Sequence, residues 1–276
     1  MLQGLQSEKN LWLVYKSYDI VGDIAIIRVS ESLKQKSRKI AEDIMETNKN
    51  VKSVWGQYSP VSGDFRLRTL KWVAGEKRTE TIHKEFGCTF KVDIDHCYFS
   101  PRLSYERQRI AQQVRSAEVV VNMFAGVGCY SIIIAKHSKA DKIYSIDLNP
   151  IAIKYMQDNI KLNKVEGKVF AIQGDAKEVI KEKMQESADR ILMPLPQLAY
   201  SYLDYAIFTL KPNGGWIHYY DFEHAGKEED PKEKVKAKIS GKLQKLCSGF
   251  EMPYTRVVRT TGPNWYQIVV DILVRK

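Results

Sequence analysis

The sequence predicts an α/β fold, a doubly wound parallel sheet preceded by a small α+β module. Three observations carry that expectation. Val119, Val120 and Val121 form an unbroken β-branched run, as a strand buried on both faces requires. Gly126 and Gly128 follow where the chain must turn sharply into a helix, and a second apolar run ends in the acid Asp147. Beyond that acid, strand and helix patterns alternate, with turn residues between them.

Length suits two unequal parts, which we place at residues 1–95 and 96–276. No apolar run approaches the roughly 18 residues of a membrane span, and the start, MLQGLQSEKNLW, lacks the basic-then-apolar layout of a signal peptide. A cytoplasmic protein, monomeric and without membrane attachment, is expected. The four cysteines, Cys88, Cys97, Cys129 and Cys247, are scattered, with no CxxC pair and no histidine at zinc spacing. They indicate neither a metal site nor a disulfide framework. Lys and Arg outnumber Asp and Glu by 43 to 33, which favours a polyanionic partner such as nucleic acid over a generally lysine-wetted surface.

Taken in order, residues up to 17 form a short lead-in. Residues 18–29 alternate like one strand interrupted at Gly22, and 30–48 carry Leu33, Ile40, Ile44 and Met45 near helical spacing. Aromatic and β-branched residues over 51–71 surround a turn at Ser62-Gly63-Asp64, and 83–95 give two short strands around Gly87. This module places Arg66, Arg68, Lys71, Lys77, Arg78, His83 and Lys84 among Phe65 and Trp72. Cations for phosphates and aromatics for stacking suit single-stranded or loop RNA, although exposed hairpins with solvated charges read the same way.

Residues 103–114 form an amphipathic helix with Ser104 as N-cap, Tyr105 among the residues that could face a core, and Glu106 in the first turn, where a carboxylate complements the helix dipole. After Asp147, a helix runs from Asn149-Pro150 to 162, a strand over 168–172 closes at Gly174-Asp175, and a charged helix covers 177–186. A strand at 190–193, a helix at 198–210, a strand at 216–222, a lysine-rich helix at 231–247 and a terminal β hairpin complete the chain. Strand ends of a parallel sheet share one edge, and ligands bind there. Asp147 at such an end can accept hydrogen bonds from a ribose diol. Asp175 follows the next strand at the same edge. The full dinucleotide fingerprint with its third glycine is absent, and each feature alone could be simple turn chemistry.

Phe124-Ala125-Gly126-Val127-Gly128 resembles the first motif of S-adenosylmethionine (SAM)-dependent methyltransferases. The wider chain, from about residue 51 to the end, resembles the archaeal and eukaryotic tRNA guanine-37 N1-methyltransferases and their relatives in wybutosine synthesis. The resemblance rests on GDFRLR, AGEKRTETIHKEFGCTFKVD, YFSPRLSYER, MFAGVG, DLNP, NIKLNKV and GGWIHYY. It implies a class I (Rossmann-like) SAM-dependent methyltransferase sheet and methyl transfer from SAM to G37 in the anticodon loop of tRNA. By position it implies Glu106 as general base, Arg66 as the cation near guanine O6, and Pro194 in the target-base pocket. It implies Tyr98, Asn122, Phe124, Gly126, Val127, Asp147, Leu148, Asp175 and Ala176 around the cofactor. Arg68, Lys77, Arg78, Arg102 and Arg259 are the candidate RNA contacts.

Three positions depart from the family pattern. Asn122 stands where an Asp is usual, Cys129 where a Pro is usual, and Pro194-Leu195-Pro196 where an Asn-Leu-Pro element normally contacts the target guanine. The acceptor atom is the property these changes touch. A bifunctional wyosine-pathway methylase is therefore one alternative. An aminocarboxypropyl transferase acting on a wybutosine precursor is another, which Arg102 and the DLNP element disfavour. The family's longer members carry an extra N-terminal domain that this chain is expected to lack, so recognition should concentrate on the anticodon stem-loop. A non-catalytic RNA binder of the same fold is the reading from a different class.

Overall fold

A computed structural model describes residues 18–29 and 31–276. The lead-in expected up to residue 17 lies outside the described residues. The chain divides into two compact units, one ending at Ser104 and the other running from Tyr105 to Lys276.

The first unit holds a four-stranded sheet in the order β1-β2-β3-β4 and a separate β5–β6 hairpin. The single strand expected over 18–29 is instead a tight hairpin of β1 (Asp19–Val21) and β2 (Ile24–Arg28). Gly22 explains the difference. It adopts φ +58°, and a Cβ there would lie 2.1 Å from Thr81 Oγ1, so the chain reverses where only glycine fits. A 3-10 turn (Glu31–Lys36) leads into α1 (Ser37–Thr47), whose Ile40, Ala41 and Ile44 are buried against β3 (Ser53–Gln57) and β4 (Leu70–Gly75). β5 (Glu80–Glu85) and β6 (Cys88–Asp93) pair around Gly87.

The second unit is a seven-stranded sheet in the order β12-β13-β11-β10-β7-β8-β9. β7 (Val119–Asn122), β8 (Lys142–Asp147), β9 (Val169–Gln173), β10 (Arg190–Met193) and β11 (Gly215–His224) run parallel. β13 (Trp265–Arg275) returns antiparallel, and β12 (Gly249–Gly262) forms the outer strand beside it. The order reverses between β7 and β10, so their carboxyl ends, at Asn122 and Met193, flank the topological switch point where such sheets take ligands. α2 (Ser104–Gln113), α3 (Cys129–His137) and α4 (Pro150–Leu162) are the early helices of this unit. α5 (Ala176–Lys183), α6 (Pro196–Thr209) and α7 (Pro231–Leu246) build one continuous core with the sheet, including Val235, Ile239 and Leu243 of the lysine-rich helix.

Two expectations about α2 are corrected. A 3-10 turn from Pro101 precedes it, so Ser104 already has helical torsions (φ −53°, ψ −54°) and is no N-cap. Tyr105 does not face a core; it is 60% exposed. Among the described residues, no helix is long and apolar enough to cross a membrane.

Candidate active site

The glycine turn after β7 is braced from three sides. Gly126 N–H donates to Asp147 Oδ2 at 2.6 Å, Val127 C=O accepts from buried Asn159 Nδ2 at 3.0 Å, and Gly128 N–H donates to Ala125 C=O at 3.0 Å. Gly128 has φ +91°, and a Cβ there would meet Met156 Cγ at 2.7 Å. The turn is therefore a rigid platform built by α4 as much as by its own glycines. Asn159, in the NIKLNKV stretch, had no assigned role in the sequence; its amide pinned under the loop supplies one.

Asp147 ends β8, and its other oxygen accepts from Asn149 N–H at 2.9 Å. Burial pushes its carboxyl upward, while the two backbone N–H bonds oppose that. Each oxygen keeps acceptor capacity, as a vicinal diol would need. Asn149 then caps α4 by accepting from Ile151 and Ala152 N–H, with Pro150 in the first helical position. Leu148 and Ile151 leave apolar surface exposed beside the acid.

Asp175 caps α5 through Lys177 N–H at 3.0 Å, and the same Oδ1 accepts from Tyr202 Oη at 2.8 Å. Tyr202 also packs edge-on against Phe124, ring centroids 5.2 Å apart. Tyr202 was not predicted from sequence, since nothing in α6 marks one tyrosine of several. Asn122 is fully buried, its Nδ2 donating to Ser131 Oγ at 3.2 Å, so its amide is engaged at the root of the turn. Val127 and Ala176 are buried, and Pro194 is half-buried after β10. Leu195 then starts α6 without any side-chain cap.

Glu106 lies 1% exposed, in a network of buried polar groups. It accepts from Arg109 Nη2 at 2.6 Å and Nε at 3.0 Å, and from Tyr220 Oη at 2.9 Å, with Arg256 Nη2 at 3.5 Å. Its partners show that it is far more than a first-turn carboxylate facing the helix dipole. Arg109 continues to Asp271, Asp271 Oδ1 accepts from His218 Nδ1 at 2.6 Å, and His218 Nε2 accepts from Arg190, which is paired with Glu118. Burial disfavours charge on Asp271, yet His218 and Arg109 hold its carboxyl well below the usual range. Burial keeps His218 neutral, its pKa lowered despite Asp271, which fixes the Nδ1–H tautomer.

In the first unit, the structure brings Arg66 and Tyr98 together. The Arg66 guanidinium carbon lies 5.4 Å from the Tyr98 ring centroid, and Arg66 sits at φ +58° in the loop closed by Ser62 and Leu67. The candidate RNA contacts divide by environment. Lys77 is exposed. Arg68 donates to Gln57 at 3.3 Å, Arg102 pairs with Asp19 at 2.6 Å, and Arg259 donates to Gln267 at 2.7 Å. Arg78 is clamped by Asp23 and Glu76 and donates to Glu80 C=O, so its guanidinium ties the β1–β2 hairpin to the start of β5.

Residues 81–246 match the model of the TRM5/TYW2 methyltransferase domain, and residues 1–79 match the TYW2 N-terminal domain. The chain is 43% identical over 258 residues to the tRNA (guanine(37)-N(1))-methyltransferase Trm5b of Pyrococcus abyssi, covering 94% of this chain and 74% of that protein. It is 41% identical over 273 residues to the tRNA 4-demethylwyosine(37)-methyltransferase Taw21 of Saccharolobus solfataricus, covering 99% and 98%. A solved complex of the archaeal Trm5 with tRNALeu superposes with a TM-score of 0.84 at 38% identity, over 99% of this chain and 76% of that one.

Proposed function

The chain belongs to the TRM5/TYW2 methyltransferase family, and from that premise we propose that it transfers a methyl group from SAM to the base at position 37 of tRNA, with guanine N1 as acceptor. The observation that carries this is the carboxyl edge of the parallel sheet. There the braced glycine turn, Asp147 and Asp175 follow the neighbouring strands β7, β8 and β9, which is the order suited to a methionine tail, a ribose and an adenine. The donor set fits the cofactor: Asp147 suits a ribose diol, Asp175 an exocyclic amine, and exposed Leu148 an adenine face. When bound, SAM supplies a methyl group on an electron-poor sulfonium.

The chain's own residues supply position and proton handling. Guanine N1 carries a proton and is a poor nucleophile until that proton leaves, so Glu106 is assigned as its acceptor. Arg109 and Tyr220 hold that carboxylate in one orientation, which is the preorganisation a base needs. Arg66, poised over Tyr98, is assigned to the charge that develops on O6 as N1 gives up its proton. In-line placement then lowers the remaining barrier.

Two observations favour a second reading, methylation of a tricyclic wyosine precursor at the same position. Pro194-Leu195-Pro196 offers no side-chain amide where a guanine edge would be read, and the Taw21 relative matches this chain from end to end.

The test is incubation with SAM labelled separately in its methyl and carboxyl groups, using tRNA with unmodified G37 and tRNA bearing the tricyclic precursor. Methyl label recovered in 1-methylguanosine supports the first reading, and methyl label on the tricycle supports the second. Retained carboxyl label would replace both with aminocarboxypropyl transfer, and no label on either tRNA would leave a binding protein.

A further inference from the structure

Arg256 differs from every other arginine in the buried network. It stands on β12, the outer strand of the sheet, with its guanidinium carbon 4.4 Å above the ring of Tyr105. One nitrogen, Nη2, reaches Glu106 Oε2 only at 3.5 Å, beyond a good hydrogen bond. Nε is buried without any hydrogen-bond partner, while the side chain as a whole is 31% exposed. Arg109, by contrast, holds both its carboxylate partners at 2.6 Å. A buried polar donor left unmatched is costly, and a guanidinium has five donors in a fixed fork. Arg256 is therefore oriented by stacking, with donor capacity unfilled.

Tyr105 completes the arrangement. It is 60% exposed at the start of α2, immediately before Glu106, so one ring face meets Arg256 and much of the remainder meets solvent. A large aromatic left open beside a partly unsatisfied arginine matches what an unpaired strand of RNA presents, namely a base to stack and a phosphate oxygen to bind bidentately.

We propose that Tyr105 and Arg256 form an RNA contact at the mouth of the Glu106 network, with an unstacked base on the Tyr105 ring and a backbone phosphate on Arg256. This rests on the reading that RNA is the substrate. The contact carries a mechanistic consequence. A phosphate that engages Arg256 draws it from Glu106, leaving the carboxylate to Arg109 and Tyr220 only when substrate is in place.

The test measures tRNA affinity of the full chain across a series of KCl concentrations, with S-adenosylhomocysteine binding as a check on the fold. Arg256→Gln should lower the slope of log K against log[salt] by about 0.7, the value for one phosphate contact to a single strand. Arg256→Lys, which keeps the charge, should preserve most of that slope. Tyr105→Ala should weaken binding about tenfold at every salt concentration with the slope unchanged, and Tyr105→Phe should not. If wild-type binding depends on salt but Arg256→Gln leaves the slope intact, the contact is overturned while the RNA reading stands. If wild-type protein shows no salt-dependent tRNA binding, the RNA reading itself falls.

Discussion

Arg109 and Asp271, 162 residues apart in sequence, meet through two hydrogen bonds of 2.6 and 3.0 Å in the interior of the second unit. The pair joins α2 to β13, and it holds the arginine that in turn holds Glu106. Burial opposes the charge on Arg109, but hydrogen bonds to Asp271 and Glu106 outweigh it and raise its pKa. Removing one partner of such a pair leaves an uncompensated buried charge. Asp271→Ala should therefore destabilise the protein by about 3–5 kcal/mol in urea unfolding. The double variant Arg109→Met, Asp271→Leu should cost clearly less than the two single changes summed, and strict additivity would count against the coupling.

The His218 imidazole gives the network a pH signature. Its pKa is lowered from the ordinary 6.5 by burial, so the folded protein keeps it neutral where the unfolded chain takes up a proton. The unfolded state then binds more protons, and stability falls as pH drops through the region just below 6.5. Asp271, held low, adds a separate loss only at much more acid pH. The urea midpoint should decline between pH 7.5 and 5.5, and His218→Gln should flatten that decline. An equal slope in the variant would assign it to other groups.

How far the sequence could foresee this depends on the range of the interactions. The parallel sheet, the glycine turn, Asp147 and Asp175 are written in local patterns of β-branched runs, glycines and caps, each within a few residues, whereas the Asn159 amide that braces the turn comes from 32 residues away. The Glu106 network is assembled from α2, β10, β11, β12 and β13, whose polar members look like ordinary alternation within their own strands. His218 and Asp271 become partners only through the register of β11 against β13. Tyr105 misled because helical spacing counts residues on a face without showing which face the sheet leaves bare. The β1–β2 hairpin was missed because Gly22 alone marks it, and an isolated glycine in a strand pattern also signals a bulge.

Tyr202 should matter for cofactor affinity although it lies outside the glycine turn and both strand ends. Its hydroxyl fixes Asp175 Oδ1, which orients the other oxygen of the same carboxylate. Losing one hydrogen bond to a charged group costs about 1.5 kcal/mol, or about tenfold in Kd. Tyr202→Phe should thus lower the unfolding free energy by up to about 1.5 kcal/mol and weaken S-adenosylhomocysteine binding by up to that factor in calorimetry. Full affinity in the variant would mean that Lys177, through its N–H to Oδ1 and its ammonium 3.7 Å from Oδ2, orients Asp175 without the tyrosine.

Glu106→Gln isolates proton transfer from binding. The amide keeps the size of the side chain and can still accept from Tyr220, but it cannot take a proton from guanine N1. Single-turnover methylation of G37 should fall by about 10² or more, within the range for loss of a general base, while S-adenosylhomocysteine affinity stays within about twofold. A rate equal to wild type at every pH would remove Glu106 as the base.

Arg66 combines a left-handed backbone with an assigned role, and the two can be separated by substitution. A non-glycine residue at φ +58° costs roughly 1 kcal/mol relative to glycine, a cost the native loop carries at a residue assigned to the reaction. Arg66→Gly removes both the guanidinium and the strain, whereas Arg66→Ala removes the guanidinium and keeps the strain. Both variants should lose methyl transfer to a similar extent. Thermal unfolding should place the glycine variant above the alanine variant by about 1 kcal/mol, less the entropy glycine returns to the unfolded chain. Equal stability would mean that the loop relaxes around Arg66. Retained activity in either variant would show that the cation over Tyr98 serves the loop and not the reacting base.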